Sequence, residues 1–408
     1  MSIWVLAFII VLLPLFINAQ IQSIDIESHI KYLSSDKLKG RGTGTKQEKK
    51  AAKYLANYFK ELHLLPKGTN HYYYDFTFKK NPNPHDTVTT KIKERKGRNV
   101  VAFLDNKAPY TIVIGAHYDH LGLGYDYNSL DANPKGKIHN GADDNASGVA
   151  GVLALAKYFA TNQLKEPYNF LFICFSGEEL GLIGSKKFCE NPTIPLQSIN
   201  YMINLDMIGR LNEETNKLMI YGIGTTPVWG SILDLKNQGF DLKKDSSGIG
   251  PSDQTSFYLK DIPVLHFFTG QHSDYHKPTD DFDKINISGE IKVLNYIVSI
   301  INETLKITKL KFTPTKAPET QTTRFKVTLG IMPDYTFEGK GVKIDGVTQG
   351  KPAHTAGLQK NDIIVKLGDY VINTMDDYMK ALSKINKGDT VEAEIVREKS
   401  IIKTTISF

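Results

Sequence analysis

The chain has 408 residues, 41% of them hydrophobic and 23% charged, a composition of ordinary globular protein with room for two domains. Its net charge of +6 arises from cations and anions interspersed without a basic block, so nothing favours a nucleic-acid partner. Two cysteines, Cys174 and Cys189, exclude a disulfide-stapled scaffold and are too few and too far apart for a Cys-based zinc site; one bridge between them stays open.

In chain order, the first feature is the uncharged apolar stretch from Ile3 to Ile17, followed by a small residue, Ala19, suited to cleavage. It falls short of the roughly 20 residues needed to cross a bilayer. Residues 1–19 therefore read as a signal peptide for export, periplasmic or secreted, with no stable membrane span expected. Only the terminal amine supplies positive charge before the apolar stretch, so an uncleaved anchor stays open as the alternative.

Residues 20–310 alternate helical patterns with short apolar runs. Lys46 to Leu62 places Ala51, Ala52, Tyr54, Leu55, Tyr58, Phe59 and Leu62 on one helical face. His71 to Lys93 is aromatic and then Asn/Pro-rich, which predicts an edge hairpin. Thr111–Ala116, Asn169–Phe175, Tyr201–Leu205 and Ile262–Phe268 lack polar alternation, as strands buried on both faces of a mostly parallel sheet do. Gly289 to Leu305 reads as a closing helix. Residues 311–323 hold two prolines and no hydrophobic period and form a linker. Residues 324–408 read as short strands with one helix near Asp376–Ile385, a small separate domain.

Acid and His clusters follow these strands, where open parallel sheets place their sites. His117 and Asp119 follow the first, Glu178 and Glu179 the second, Asp206 the third, and His272, Tyr275 and His276 the fourth. Asp143 and Asp144 precede an Ala- and Leu-rich helix, where carboxylates can serve merely to satisfy free N–H groups and the helix dipole. Two His with several carboxylates and no Cys suit zinc, and the surplus of carboxylates could hold two metals. A further Glu beside a ligand Glu supplies a general base, and the combination points to metal-assisted hydrolysis.

These residues resemble peptidase family twenty-eight of the metallo class, the two-zinc aminopeptidases of clan MH. The matching motifs are H-Y-D at His117–Asp119, G-A-D-D-N-A-S-G at Gly141–Gly148 and G-E-E at Gly177–Glu179. N-L-D-M at Asn204–Met207, D-Y-H-K-P-T-D at Asp274–Asp280 and the early L-K-G-R-G at Leu38–Gly42 complete the set. The resemblance implies a three-layer α/β/α fold of the phosphorylase/hydrolase type with a mixed, mostly parallel sheet. It also implies two Zn2+ per chain, Asp144 bridging them through a residue whose peptide to Asn145 is cis. His117 and Asp206 would complete one metal site, Glu179 and His276 the other. Glu178 would be general base and acid, Asp119 would orient His117, and Tyr275 would steady the oxyanion. Asp143 competes with Asp144, and His272 with His276; His120, His139 and His266 are assigned to supporting or core positions. The family often has His after Ser-Asp in a substrate loop, where this chain has Gln254 after Ser252-Asp253.

The C-terminal domain resembles a bacterial-type PDZ domain through Thr328–Met332, read as a carboxylate-binding loop, and Lys351–Leu358. Such domains bind extended peptides along a sheet edge. The reading is thus a zinc-dependent aminopeptidase acting on peptide or protein substrates, with peptide C-termini as possible ligands of the PDZ-like domain. A glutaminyl cyclase or a carboxypeptidase on the same fold, a ligand-poor binding relative, and a peptide-binding protein are the alternatives.

Overall fold

A computed structural model describes residues 21–79, 94–126, 128–315, 327–333, 337, 339–347 and 350–408 of the chain. The proposed signal peptide and most of the linker lie outside these residues.

The first body is built on nine strands among the described residues: β1 (Leu65–Pro66), β2 (Tyr73–Lys79), β3 (Glu94–Leu104), β4 (Thr111–His117), β5 (Asn169–Phe175), β6 (Ile199–Leu205), β7 (Lys217–Tyr221), β8 (Asp241–Lys244) and β9 (Val264–Phe268). Their order is β1-β3-β5-β4-β6-β9-β7-β8, with β2 paired to β3. The middle, β5-β4-β6-β9, is parallel, and antiparallel pairs flank it: β3 on β5 and β7 on β9. Apolar runs that do not alternate now have a physical cause. Ile112, Ile114 and Ala116 of β4 enter one core while Val113 enters the other. Both faces are covered, so no position on these strands can be polar without a partner.

The helices are α1 (Ser23–Leu33), α2 (Lys46–Glu61), α3 (Gly148–Thr161), α4 (Ile183–Glu190), α5 (Trp229–Lys236), α6 (Gln254–Tyr258) and α7 (Ile287–Thr304). Residues of α1, α2, α3, α5 and α7 fill the larger core, and Phe188 of α4 with Phe257 of α6 fill the smaller one on the opposite face. Helix α2 starts where Thr45 accepts a hydrogen bond from the Glu48 N–H at 3.2 Å, and its buried Ala51, Ala52, Leu55 and Phe59 are those of the predicted stripe. Helix α3 is buried over most of its length, which explains its nearly all-apolar sequence.

Strands β3, β7 and β8 escape the sequence reading. β3 opens on the charged, partly exposed Glu-Arg-Lys-Gly-Arg before its apolar run Val100–Leu104, and β8, at the edge of the sheet, reads Asp-Leu-Lys-Lys without one. Of the predicted hairpin His71–Lys93 only β2 falls among the described residues; it pairs with β3, which begins beyond the predicted bounds, in register from Tyr73–Val100 to Lys79–Glu94. Cys174 and Cys189 are both free and buried, which closes the question of a bridge. Among the described residues, no helix is long and apolar enough to cross a membrane.

The second body holds a separate core and an antiparallel sheet of β10 (Ile331–Pro333), β11 (Val342–Val347), β12 (Ile363–Leu367), β13 (Tyr370–Val371), β14 (Thr390–Arg397) and β15 (Ser400–Ser407). Helices α8 (Pro352–Thr355) and α9 (Met375–Lys384) accompany it. Helix α9 opens on a reciprocal cap between Thr374 and Asp377, one residue from its predicted start. Leu329, Ile344, Ile364, Leu367, Ala381 and Ile395 centre its core.

Candidate metal centre

The C-terminal ends of the parallel strands converge on one cleft. His117 is the last residue of β4; Glu178 and Glu179 follow β5, Asp206 follows β6, and the loop beyond β9 returns with Tyr275 and His276. Asp144 arrives on the irregular turn Ala142–Ser147 ahead of α3, and its peptide to Asn145 is cis. Gly141, at φ +58°, is needed at the start of this turn, since a Cβ there would lie 2.1 Å from the Asp144 carbonyl oxygen.

The turn sends two adjacent carboxylates in different directions. Asp144 Oδ1 lies 3.3 Å from His117 Nε2, and its Oδ2 lies 3.2 Å from His276 Nε2. Asp143 points the other way: its Oδ1 accepts from the Gly209 N–H at 2.8 Å, and its Oδ2 meets His272 Nε2 at 3.1 Å. Of each competing pair, Asp144 and His276 line the cleft, whereas Asp143 and His272 meet each other outside its lining. Asp280, more than 130 residues away, enforces the divergence by accepting the N–H groups of both Asp143 and Asp144 at 3.0 Å through one oxygen.

Two clusters share Asp144. In the first, His117 Nε2 also lies 3.4 Å from Asp206 Oδ1, and one donor atom from each of His117, Asp144 and Asp206 falls within 4.8 Å of the others. In the second, His276 Nε2 is 3.2 Å from both Asp144 Oδ2 and Glu179 Oε2. The same carboxylates also meet His120, whose Nδ1 lies 2.7 Å from Glu179 Oε1 and 3.8 Å from Asp144 Oδ2, and His120, Asp144 and Glu179 form a second compact group. The sequence reading kept His120 out of this group. Its place three residues after His117 in H-Y-D-H was a signal, but a strand end does not show which way the following loop turns. His139, bonded to Ser129, and His266, bonded to Asn204, stay outside both clusters.

The remaining predicted residues also meet here. Glu178 Oε2 stands 3.9 Å from His117 Nε2, and its N–H donates to Asp119 Oδ1 at 3.2 Å. The Asp119 backbone oxygen lies 3.2 Å from His117 Nδ1, and its Oδ1 3.8 Å from the same atom. Tyr275 stacks on His276, with ring centroids 3.9 Å apart, and both line a cavity of about 440 Å³. Leu182, Met207, Tyr221, Pro251 and Phe268 form its apolar side, and no Lys or Arg is among its described lining residues. Arg210 is engaged elsewhere, with Asp274 at 2.9 Å and Asp280 at 2.8 Å. Gln254 accepts from Asn204 Nδ2 of β6 at 3.3 Å and is not in the cavity lining.

The electrostatics of the cluster call for positive charge. Burial opposes protonation of His117, yet Asp206, Glu178 and Asp144 carry it well above the ordinary imidazole range. His276 is driven the same way by Glu179 and Asp144 against its burial. Burial also opposes the charge on Glu179, but His276 and His120 bring its carboxyl to about 2. Burial holds Glu178 well above the usual carboxylate range, against the pull of His117 and with Glu179, Asp206 and Asp253 adding to it. Crowded carboxylates and imidazole nitrogens of this kind match the donor set of zinc, whose charge would replace the protons the imidazoles otherwise hold.

Residues 99–301 match the family described as Peptidase family M28, and residues 317–408 match the PDZ domain. The chain is 28% identical over 192 residues to "Aminopeptidase YwaD" of Bacillus subtilis, a match spanning 44% of this chain and 38% of that protein's length. It is similar in fold to a solved zinc aminopeptidase from Bacillus subtilis, BSAP, with a TM-score of 0.54 at 17% identity, covering 72% of this chain and 96% of that one. A glutaminyl cyclase from Bacteroides thetaiotaomicron, solved bound to N-acetylhistamine, is similar at the same TM-score of 0.54, at 18% identity over 69% of this chain and 98% of its own.

Proposed function

We propose that this chain, whose residues 99–301 belong to peptidase family M28 and whose C-terminal part is a PDZ domain, is a zinc-dependent aminopeptidase with two zinc ions per chain. The observation that carries this reading is the pair of ligand-type groups joined at Asp144: His117 and Asp206 on one side, Glu179 with His276 and His120 on the other. A one-metal site would have no need of the H-x-D arm, so the complete pair favours a peptidase over a cyclase.

Bound zinc would supply Lewis acidity for the scissile carbonyl and lower the pKa of the attacking water. The chain does the rest. Glu178 accepts the proton of that water and returns it to the leaving amine, a task for a carboxyl whose burial shifts its affinity for protons upward. Asp119 holds the His117 imidazole from behind. The Tyr275 hydroxyl donates to the oxyanion of the tetrahedral intermediate. The absence of Lys and Arg among the described lining residues disfavours recognition of a substrate carboxylate, as a carboxypeptidase requires. The apolar stretch Ile3–Ile17 supports export, and peptide or protein C-termini are the proposed ligands of the PDZ domain.

The test is a zinc assay combined with a panel of aminoacyl, N-blocked and N-terminal glutamine substrates. Cleavage restricted to free N-termini, with two zinc per chain, is the expected result. Activity confined to cyclisation of N-terminal glutamine would move the assignment to the cyclase.

A further inference from the structure

We propose that the turn Arg41–Thr43 is a positioning clamp for the candidate metal centre, Arg41 fixing the backbones of two site loops against each other and Thr43 aiming Asp119. The proposal rests on the zinc-centre reading above.

Arg41 is completely buried, yet among the described residues its guanidinium reaches no carboxylate within bonding distance; it is spent on carbonyl groups. Nε donates to the Tyr118 oxygen at 2.8 Å. Nη1 donates to Leu33 and Asn140, both at 2.5 Å, and Nη2 to Gly141 at 3.0 Å. Tyr118 stands between His117 and Asp119, and its own N–H donates to Phe175 at the end of β5, next to the Glu178 loop. Asn140 and Gly141 lead directly into the turn that presents Asp144, and Gly141 also accepts from the Ala146 N–H at 3.2 Å. One planar fork thus ties the H-x-D loop to the Asp144 turn and both to the end of α1. A lysine ammonium, a single point on a flexible stem, cannot reproduce that span.

The backbone around Arg41 is shaped to deliver it. Lys39, Gly40 and Arg41 are consecutively left-handed, at φ +43°, +68° and +50°. A Cβ on Gly40 would lie 2.3 Å from the His139 carbonyl oxygen and 2.6 Å from that of Gly122, so the turn is pressed against the site loops. Gly122 N–H donates to Gly40 at 3.1 Å, and Gly42 forms a parallel bridge with His120. Thr43 Oγ1 then donates to Asp119 Oδ2 at 2.7 Å, leaving Oδ1 for the Glu178 N–H and the His117 side. Burial lowers the Arg41 guanidinium to about 10, which leaves it cationic at neutral pH among Asp119, Asp144, Asp280 and Glu179.

The experiment compares full-length Arg41→Lys, Arg41→Met and Thr43→Val with wild type. Three properties are read: zinc affinity by competition with a chromogenic chelator, kcat and KM on an aminoacyl anilide, and cooperativity of melting of the chelated chain. Arg41→Met is expected to keep a cooperative melt while its zinc affinity and kcat fall about ten- to a hundredfold. Its KM should stay within about threefold, the signature of lost positioning rather than lost substrate contact. Arg41→Lys should recover little, and Thr43→Val should show a smaller loss of the same kind. Variants that melt cooperatively with wild-type zinc affinity and kcat would overturn the clamp. If Arg41→Met and Arg41→Lys do not fold, Thr43→Val decides: wild-type behaviour there would leave the turn a merely structural element and refute the proposal. A wild-type chain that binds no zinc would remove the functional reading and the clamp with it, whereas unaltered variants of a zinc-binding wild type remove the clamp alone.

Discussion

Replacing Glu178 by Gln tests the assigned chemistry most directly, because the change alters proton affinity and almost nothing else. Glu178 Oε2 is 3.9 Å from His117 Nε2, farther than Asp144 at 3.3 Å and Asp206 at 3.4 Å, so the ligand groups keep their nearer carboxylates. The Glu178 N–H to Asp119 is a backbone bond and survives the substitution. A neutral amide also removes repulsion with Glu179 and Asp206 at a largely buried position, so folding stability should not fall. What is lost is the acceptor for the water proton. General base catalysis typically contributes about 10²–10⁴-fold, which at about 1.36 kcal/mol per tenfold corresponds to ~3–5 kcal/mol of barrier. Steady-state kinetics on an aminoacyl anilide, together with zinc content and a thermal melt, measure each part. We expect kcat lower by about 10³ with zinc and melting unchanged. A variant that retains kcat within about tenfold would refute the general-base role, and one that loses zinc would instead make Glu178 a ligand.

Asp144→Ala is expected to lose zinc from both groups, because both share that carboxylate, whereas Asp143→Asn should keep its zinc and cost about 1–3 kcal/mol through its bonds to Gly209 and His272; metal analysis and urea melts separate the two. Gly141→Ala places a Cβ 2.1 Å from the Asp144 carbonyl at positive φ, and a loss of roughly 2 kcal/mol or more, with weakened zinc binding, should appear in the same measurements. Burial brings His29, packed between Tyr54 and Tyr58, down to about 4 from 6.5. The unfolded chain therefore takes up a proton below about 6.5 that the folded chain refuses until about 4, so stability falls across that window, by up to about 3 kcal/mol from this residue. In His29→Asn the slope of stability against pH between these values should be shallower. Finally, a chain ending after Thr315 should hydrolyse small aminoacyl substrates as the full chain does. The cut must spare Thr313 and Thr315, which bond Thr225 and Tyr258 of the first body.

The sequence by itself determined the central strands, their helical cover and the strand ends at which chemistry-bearing residues gather, because burial on both faces writes itself into Thr111–His117 and Asn169–Phe175 as unbroken apolar runs. It also marked the second body, through a linker without hydrophobic period and the short strands beyond it. It left β3 and β8 unseen, since the charged first half of β3 and the whole of the edge strand β8 resemble loop composition. Only the tertiary structure decided which of two neighbouring carboxylates enters the cleft. That choice depends on backbone torsions at Gly141–Asn145, and these are held by Asp280 and Gly209 from distant parts of the chain. The same holds for His120, brought onto Glu179 by the turn of its loop, and for Arg41, whose role exists only in the carbonyl groups that the end of α1 and two remote segments bring around it. Hydrophobic periodicity is local and is legible residue by residue. The direction of a polar side chain is set by partners that sequence distance conceals, and in this protein those partners define the site.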